Sequence, residues 1–269
     1  MKKLLCTVML FVLLLSAVSC RPINVSEGDG DETEISFTVE YAKNSANTDG
    51  KTVVCIDAGH GFGDVGCTSD YLGCYEYEVT IDAARKLKAA LEARGAEVVL
   101  THDGVSFPAA DEIISSCKKY RIEYIEEKIV DNDKFSAYER AIYEEILAKE
   151  YMLDFFISLH VNSVGNADYV DGYELYYCNS NPYVEQVEHF GETLAPMLDN
   201  DLKVVGYDQE ESYLVTKYAS IPSVLLEMGY ATNPIDASKM KNEEWKTELA
   251  EILADEIIAS VKQVSHTKY

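Results

Sequence analysis

From Lys51 onward, apolar runs alternate with stretches whose apolar residues recur every three or four positions. Residues 52–57 (TVVCID), 97–101 (EVVLT), 154–160 (DFFISLH) and 222–228 (PSVLLEM) read as strands. Residues 172–178 (GYELYYC) alternate more and are expected nearer an edge. Val79, Ala83, Leu87, Ala90 and Leu91 carry a helical spacing that ends at Arg94-Gly95. Asn181-Pro182 opens a further helix to about Leu198, with Pro where its missing N–H does no harm. Asn242 is expected to cap a last helix through Trp245, Leu249, Ile252, Leu253, Ile257 and Val261. Strands apolar throughout, alternating with helices, predict an α/β fold. The expectation is a single domain, residues 51–269, with a mostly parallel twisted sheet and helices on both faces.

Residues 104–151 break this rhythm with two helical patterns, Ile113/Cys117/Tyr120/Tyr124 and Tyr138/Ala141/Ile142/Glu145/Ile146. Crossover helices packed on the sheet are one reading, and an insertion at the rim of a site is the other.

The N-terminus follows a different logic. Lys2 and Lys3 precede an apolar run from Leu4 to about Leu15, then small residues and Cys20. This is a signal peptide, too short to span a membrane. Ala17-Val18-Ser19-Cys20 resembles the lipobox of bacterial lipoproteins, which implies lipidation of Cys20 and a membrane-anchored, extracytoplasmic protein. Residues 21–50 are acidic with little periodicity and read as a flexible tether able to reach roughly 30 Å.

Charge narrows the function. The formal net charge is −24, with 23 Lys and Arg against 47 Asp and Glu. Binding to nucleic acid or to anionic lipid headgroups draws on Lys and Arg, so both are disfavoured. Seven cysteines are present without a C-x-x-C pair, which disfavours a structural zinc knuckle.

Three apolar strands run into a polar residue suited to metal or proton chemistry. VVCID leads to His60, FFISL to His160 and SVLL to Glu227. In parallel α/β sheets, ligands bind beyond the carboxyl ends of the strands, so these residues can converge. Glu76 or Glu78, where the first helix begins, is a fourth candidate on the same edge. Two His and one carboxylate make a zinc site with an open position for water, and a further Glu can move a proton. Pattern alone leaves structural histidines and a helix-start surface acid as the alternative.

IDAGHGFGDVG, EYEVTIDAARKLKAALEARGAEVVLT, ISLHVNS and PSVLLEMGYATNPID, in this order over about 53–240, resemble the catalytic domain of the zinc-dependent N-acetylmuramoyl-L-alanine amidases, the amidase_3 family. The resemblance implies cleavage of the amide between N-acetylmuramic acid and L-alanine in peptidoglycan. It implies one Zn2+ per chain held by His60, Glu76 and His160, with Glu227 as catalytic acid and base. Asn162 matches the Asn of the family's H-x-N segment, a contact behind the ligands or to substrate. The family usually has Pro, Lys, Asn and Arg where Ala58, Tyr77, Thr80 and His102 stand. These departures put substrate contacts and helix-start packing in doubt, not the metal. His102 is expected at the rim, and His189 and His266 on the surface. Residues 104–135 look longer than the usual family connection. Some relatives carry helices that block the site until an activator protein arrives, a role open here.

The rival functions are a zinc carboxypeptidase on the stem peptide and a non-catalytic wall-binding lipoprotein. Tyr71, Tyr75 and Tyr77 beside Glu76 read as packing or as a sugar-stacking surface. Cys67 and Cys74 bracket the same loop, where a disulfide is one expectation, and Cys55 is expected to be a buried free thiol.

Overall fold

The computed structural model describes residues 50–266 except positions 133, 166 and 210–212, without the side chains of 264–266. The signal peptide, Cys20 and the tether up to residue 49 lie outside the described residues.

The chain runs β1 (Val53–Ala58), α1 (Glu76–Ala93), β2 (Glu97–Leu100), α2 (Ala110–Tyr120), α3 (Ala137–Tyr151), β3 (Phe155–Asn162), β4 (Tyr173–Cys178), α4 (Val184–Met197), β5 (Leu202–Tyr207), α5 (Leu214–Lys217), β6 (Ser223–Tyr230), α6 (Pro234–Lys241) and α7 (Glu243–His266). Six strands form one sheet in the order β2-β1-β3-β6-β4-β5. All neighbours are parallel except β4 and β6. The expected single α/β domain with a mostly parallel sheet is therefore what forms.

Two apolar clusters cover the two faces. On one, Val79, Ala83, Leu87, Ala90 and Leu91 of α1 join Leu253 and Ile257 of α7 over Ile56, Ile157 and Leu226. On the other, Ile142 and Ile146 of α3 and Ile113 and Cys117 of α2 pack with Cys55, Phe156 and Leu225. The helices of 104–151 are thus crossover helices that seal a sheet face. Asn242 caps α7 by accepting the Trp245 amide proton at 3.0 Å, as the sequence predicts.

β4 lies next to the edge strand, between β6 and β5, and so nearer an edge as expected, yet it is buried throughout. Its polar alternation arises because Glu174, Tyr176 and Tyr177 bury their polar tips in hydrogen bonds. The true edge, β5, carries Lys203 and Gly206 and is weakly patterned. α4 starts at Val184, two residues past Pro182, because Asn181 Oδ1 takes the Tyr183 amide in a turn that precedes the helix.

Candidate metal centre

The loop after β1 sets up the centre. His60, Gly61, Phe62 and Gly63 all have positive φ, at 66°, 98°, 51° and 83°. Non-glycine residues in that region cost energy and persist where surroundings fix them. Here Thr80, buried on α1, donates to the Gly59 carbonyl at 2.7 Å, so this departure from the family's Asn still ties the helix to the turn.

α1 opens on Glu76, buried at the sheet edge, while the Glu78 carboxylate turns outward and accepts the Tyr75 amide proton at 2.9 Å. Of the two acids left open by spacing, only Glu76 faces the histidines. Its Oε1 lies 3.2 Å from His60 Nε2 and 3.1 Å from His160 Nδ1. The carboxylate is aimed by main chain: Val161 N–H donates to Oε1 and Cys67 N–H to Oε2, each at 2.8 Å. Asp64 Oδ2 accepts from His60 Nδ1 at 2.8 Å, leaving Nε2 turned to the centre.

Burial alone would lower the His60 pKa, but its hydrogen bonds and charge pairing with Glu76 and Asp64 outweigh it and push it up to about 9. Burial likewise opposes the charged form of Glu76, yet the two imidazoles hold it well below the carboxylate range.

His60, Glu76 and His160 can each present one ligand atom, and these atoms lie within 4.8 Å of one another. The surroundings fit an ion held there. A Cβ on Gly59 would sit 2.5 Å from the His160 ring, and one on Gly66 would sit 2.5 Å from Glu76 Oε2. Two imidazoles and one carboxylate suit zinc chemistry.

Glu227 stands beside this triad as the direct ladder partner of His160. Its Oε2 is buried with no hydrogen-bond partner among the described residues. Burial foremost, with the charges of Glu76 and Glu174 adding and the histidines opposing, raises its pKa to about 7. Such a carboxyl is poised to accept or give a proton near neutral pH.

Some residues fall elsewhere than the sequence suggested. His102 is not at the rim: it is buried, with Nε2 2.7 Å from the Ala58 carbonyl and Nδ1 accepting the Gly104 amide proton. Cys67 and Cys74 are both free, and the Cys67 thiol donates to the Val161 carbonyl at 3.2 Å. Cys55 is a buried free thiol, as expected, and His189 is half exposed. Asn162 does not reach the triad; its Nδ2 donates to Glu174 Oε2 at 2.8 Å. Glu174, Asp64 and Arg140 were not singled out from the sequence. Glu174 accepts from Asn162, Tyr176, Tyr230 and Lys203 and directly faces Glu227 across β4 and β6. An acid amid tyrosines in a buried strand is a signal that could have exposed it.

The Amidase_3 family model, described as N-acetylmuramoyl-L-alanine amidase, matches residues 54–259. The chain belongs to that family. It is 27% identical over 212 residues to the N-acetylmuramoyl-L-alanine amidase LytC of Bacillus subtilis, covering 77% of this chain and 34% of LytC. It is 23% identical to the probable cell wall amidase LytH of Staphylococcus aureus, covering 84% of this chain and 64% of LytH. The chain thus spans about a third of LytC and under two thirds of LytH. Among solved structures, the N-acetylmuramoyl-L-alanine amidase AmiC2 of Nostoc punctiforme aligns with a TM-score of 0.58 at 27% identity, covering 79% of this chain and 98% of that one.

Proposed function

We propose that the protein hydrolyses the amide between the lactyl group of N-acetylmuramic acid and L-alanine in peptidoglycan. The observation that carries this reading is the convergence of His60, Glu76 and His160 beside Glu227, within a member of this amidase family. His60, Glu76 and His160 would hold one zinc ion, which when bound supplies Lewis acidity for water and for the scissile carbonyl. Glu227 takes the proton of the attacking water and returns it to the departing amine of L-alanine. Its buried setting lets it be proton acceptor first and donor afterwards near neutral pH. Asn162 acts behind the site, holding Glu174 against the Glu227 strand.

Arg140, a strongly basic side chain close to the site, lies buried on Asp57. It is therefore spent on the protein and not offered to a peptide carboxylate, which favours the amidase over the carboxypeptidase. Residues 1–20 act as signal peptide with lipidation at Cys20, and residues 21–50 tether residues 51–269 to the outer face of a bacterial membrane. Among the described residues no helix is long and apolar enough to cross a membrane. Digestion of purified muropeptides, read by mass spectrometry, tests the reading. Peptides with free N-terminal L-alanine are expected. Release of terminal residues from the stem peptide would indicate the carboxypeptidase, and an intact substrate would indicate a binding protein.

A further inference from the structure

Beneath the candidate centre lies a buried charge network that the reaction itself does not use. Arg140, on the first turn of α3, is 5% exposed, and Asp57, in β1, is fully buried. Arg140 Nη1 donates to Asp57 Oδ1 at 2.8 Å and to the Ala58 carbonyl at 2.9 Å. Its Nη2 donates to the carbonyl of His60, and its Nε to that of Phe135 at 3.2 Å. Thr101 and Ser158 donate to the same Asp57 carboxylate at 2.5 and 2.7 Å. The Phe135 ring lies under the guanidinium at 4.9 Å. Phe107 stacks on Phe135 and touches Phe62, the residue two beyond His60. Phe107 and Phe135, both from the segment between β2 and α3, therefore pack against this network.

Of the carbonyls that Arg140 grips, that of His60 belongs to the turn held at positive φ, and that of Ala58 ends the strand leading into it. A guanidinium is a rigid planar fork, and a buried one fixes several acceptors at once. The His60 ring is aimed through this backbone and through Asp64, which is largely exposed.

We infer that Arg140 is a positioning residue for the metal centre: by clamping the carbonyls of Ala58 and His60 against Asp57, it fixes the direction of the His60 imidazole. The inference rests on the reading of His60, Glu76 and His160 as metal ligands. Residues that orient a ligand from behind are typically worth 10- to 100-fold in metal affinity.

The test uses Arg140→Lys, which keeps a positive charge on Asp57 but loses the fork, and the double variant Arg140→Gln with Asp57→Asn, which removes both buried charges together. Zinc affinity is measured by competition with a chromophoric chelator, alongside circular dichroism and muropeptide kinetics. Both variants are expected to fold, to bind zinc about 10- to 100-fold more weakly, and, at saturating zinc, to lose kcat with KM unchanged. Phe135→Leu, which thins the packing on the same side chain, is expected to lower the melting temperature and leave zinc affinity near wild type. Folded Arg140→Lys with wild-type zinc affinity overturns the inference. So does failure of Arg140→Lys to fold with or without zinc, which would make Arg140 a determinant of the fold alone. Failure of the wild type to bind zinc would instead overturn the metal reading.

Discussion

His160 and Glu227 are direct partners across the β3–β6 ladder, and the register breaks immediately beyond them, between His160 and Asn162. Parallel partners share a face of the sheet, so a proposed ligand and a proposed proton carrier are held side by side by main-chain pairing. The irregularity beyond them frees the Val161 amide to reach Glu76. Irregularities of this kind commonly re-aim groups next to active sites.

This juxtaposition separates two roles. Glu227→Gln keeps the shape but cannot move a proton, and general acid–base help is worth roughly 10²–10⁴-fold. Turnover of muropeptides should fall by that order while zinc content stays near one per chain. Glu76→Gln should instead strip zinc, since it removes a charged oxygen that faces both imidazoles. Metal analysis of the two purified variants decides it; loss of zinc from Glu227→Gln with retention in Glu76→Gln would reverse the assignment.

Metal affinity should fall with acidity. The ligand form of His60 is neutral, and its pKa before metal binds is pushed up to about 9 by Glu76 and Asp64. Zinc must displace that proton, so apparent affinity should decline steadily from pH 9 to pH 6. Asp64→Asn removes one carboxylate that favours the charged ring, so its affinity should depend less steeply on pH. Chelator competition across the range is the measurement, and equal slopes in both proteins would contradict it.

Fold stability should show the opposite signature of two buried acids. Glu144 and Glu145 on α3 are buried, each with Oε2 lacking a hydrogen-bond partner among the described residues. Burial raises both pKa values, and the charge of Glu145 raises that of Glu144 further. The native state therefore holds protons that the unfolded chain releases. Stability is complete below the ordinary Glu pKa of about 4.3 and is lost as pH rises through the higher native values, each tenfold difference in proton affinity being worth about 1.4 kcal/mol. Glu145→Gln can still accept the Ser220 amide proton and should melt like wild type at pH 5 but higher at pH 8. Identical pH slopes in thermal melts would refute this.

For the anchor, wild type should sediment with membranes after export, whereas Cys20→Ala should appear in the soluble fraction without lipid. Equal solubility of both forms would replace the lipobox by simple secretion.

What the sequence revealed, and what it hid, follows from the range of each interaction. β1, β3 and β6 were legible because each is a dense apolar run that meets a polar residue, although β3 and β6 continue past His160 and Glu227 to Asn162 and Tyr230, and α1 because its stripe at Val79, Ala83 and Leu87 is local. Glu76 could be separated from Glu78 only by three-dimensional placement, or by resemblance to a family. Arg140 and Asp57 pair over long sequence separation, so neither looks unusual beside its neighbours. β5 escaped notice because an edge strand need bury little, and LKVVGY has a Lys and a Gly in six residues. The reversed direction of β4 leaves no trace in a periodicity that reads the same both ways. Free Cys67 was hidden because two cysteines near in sequence say nothing of where their sulfurs point.

The amides of Cys67 and Val161 aim Glu76 through the main chain alone. Charge pairing with Glu76 and Asp64 favours the protonated form of His60. With these partners in place, the polypeptide is expected to fold first and load its ion later. Stripping by a chelator should then be a reversible event, undone by adding zinc back without any refolding step.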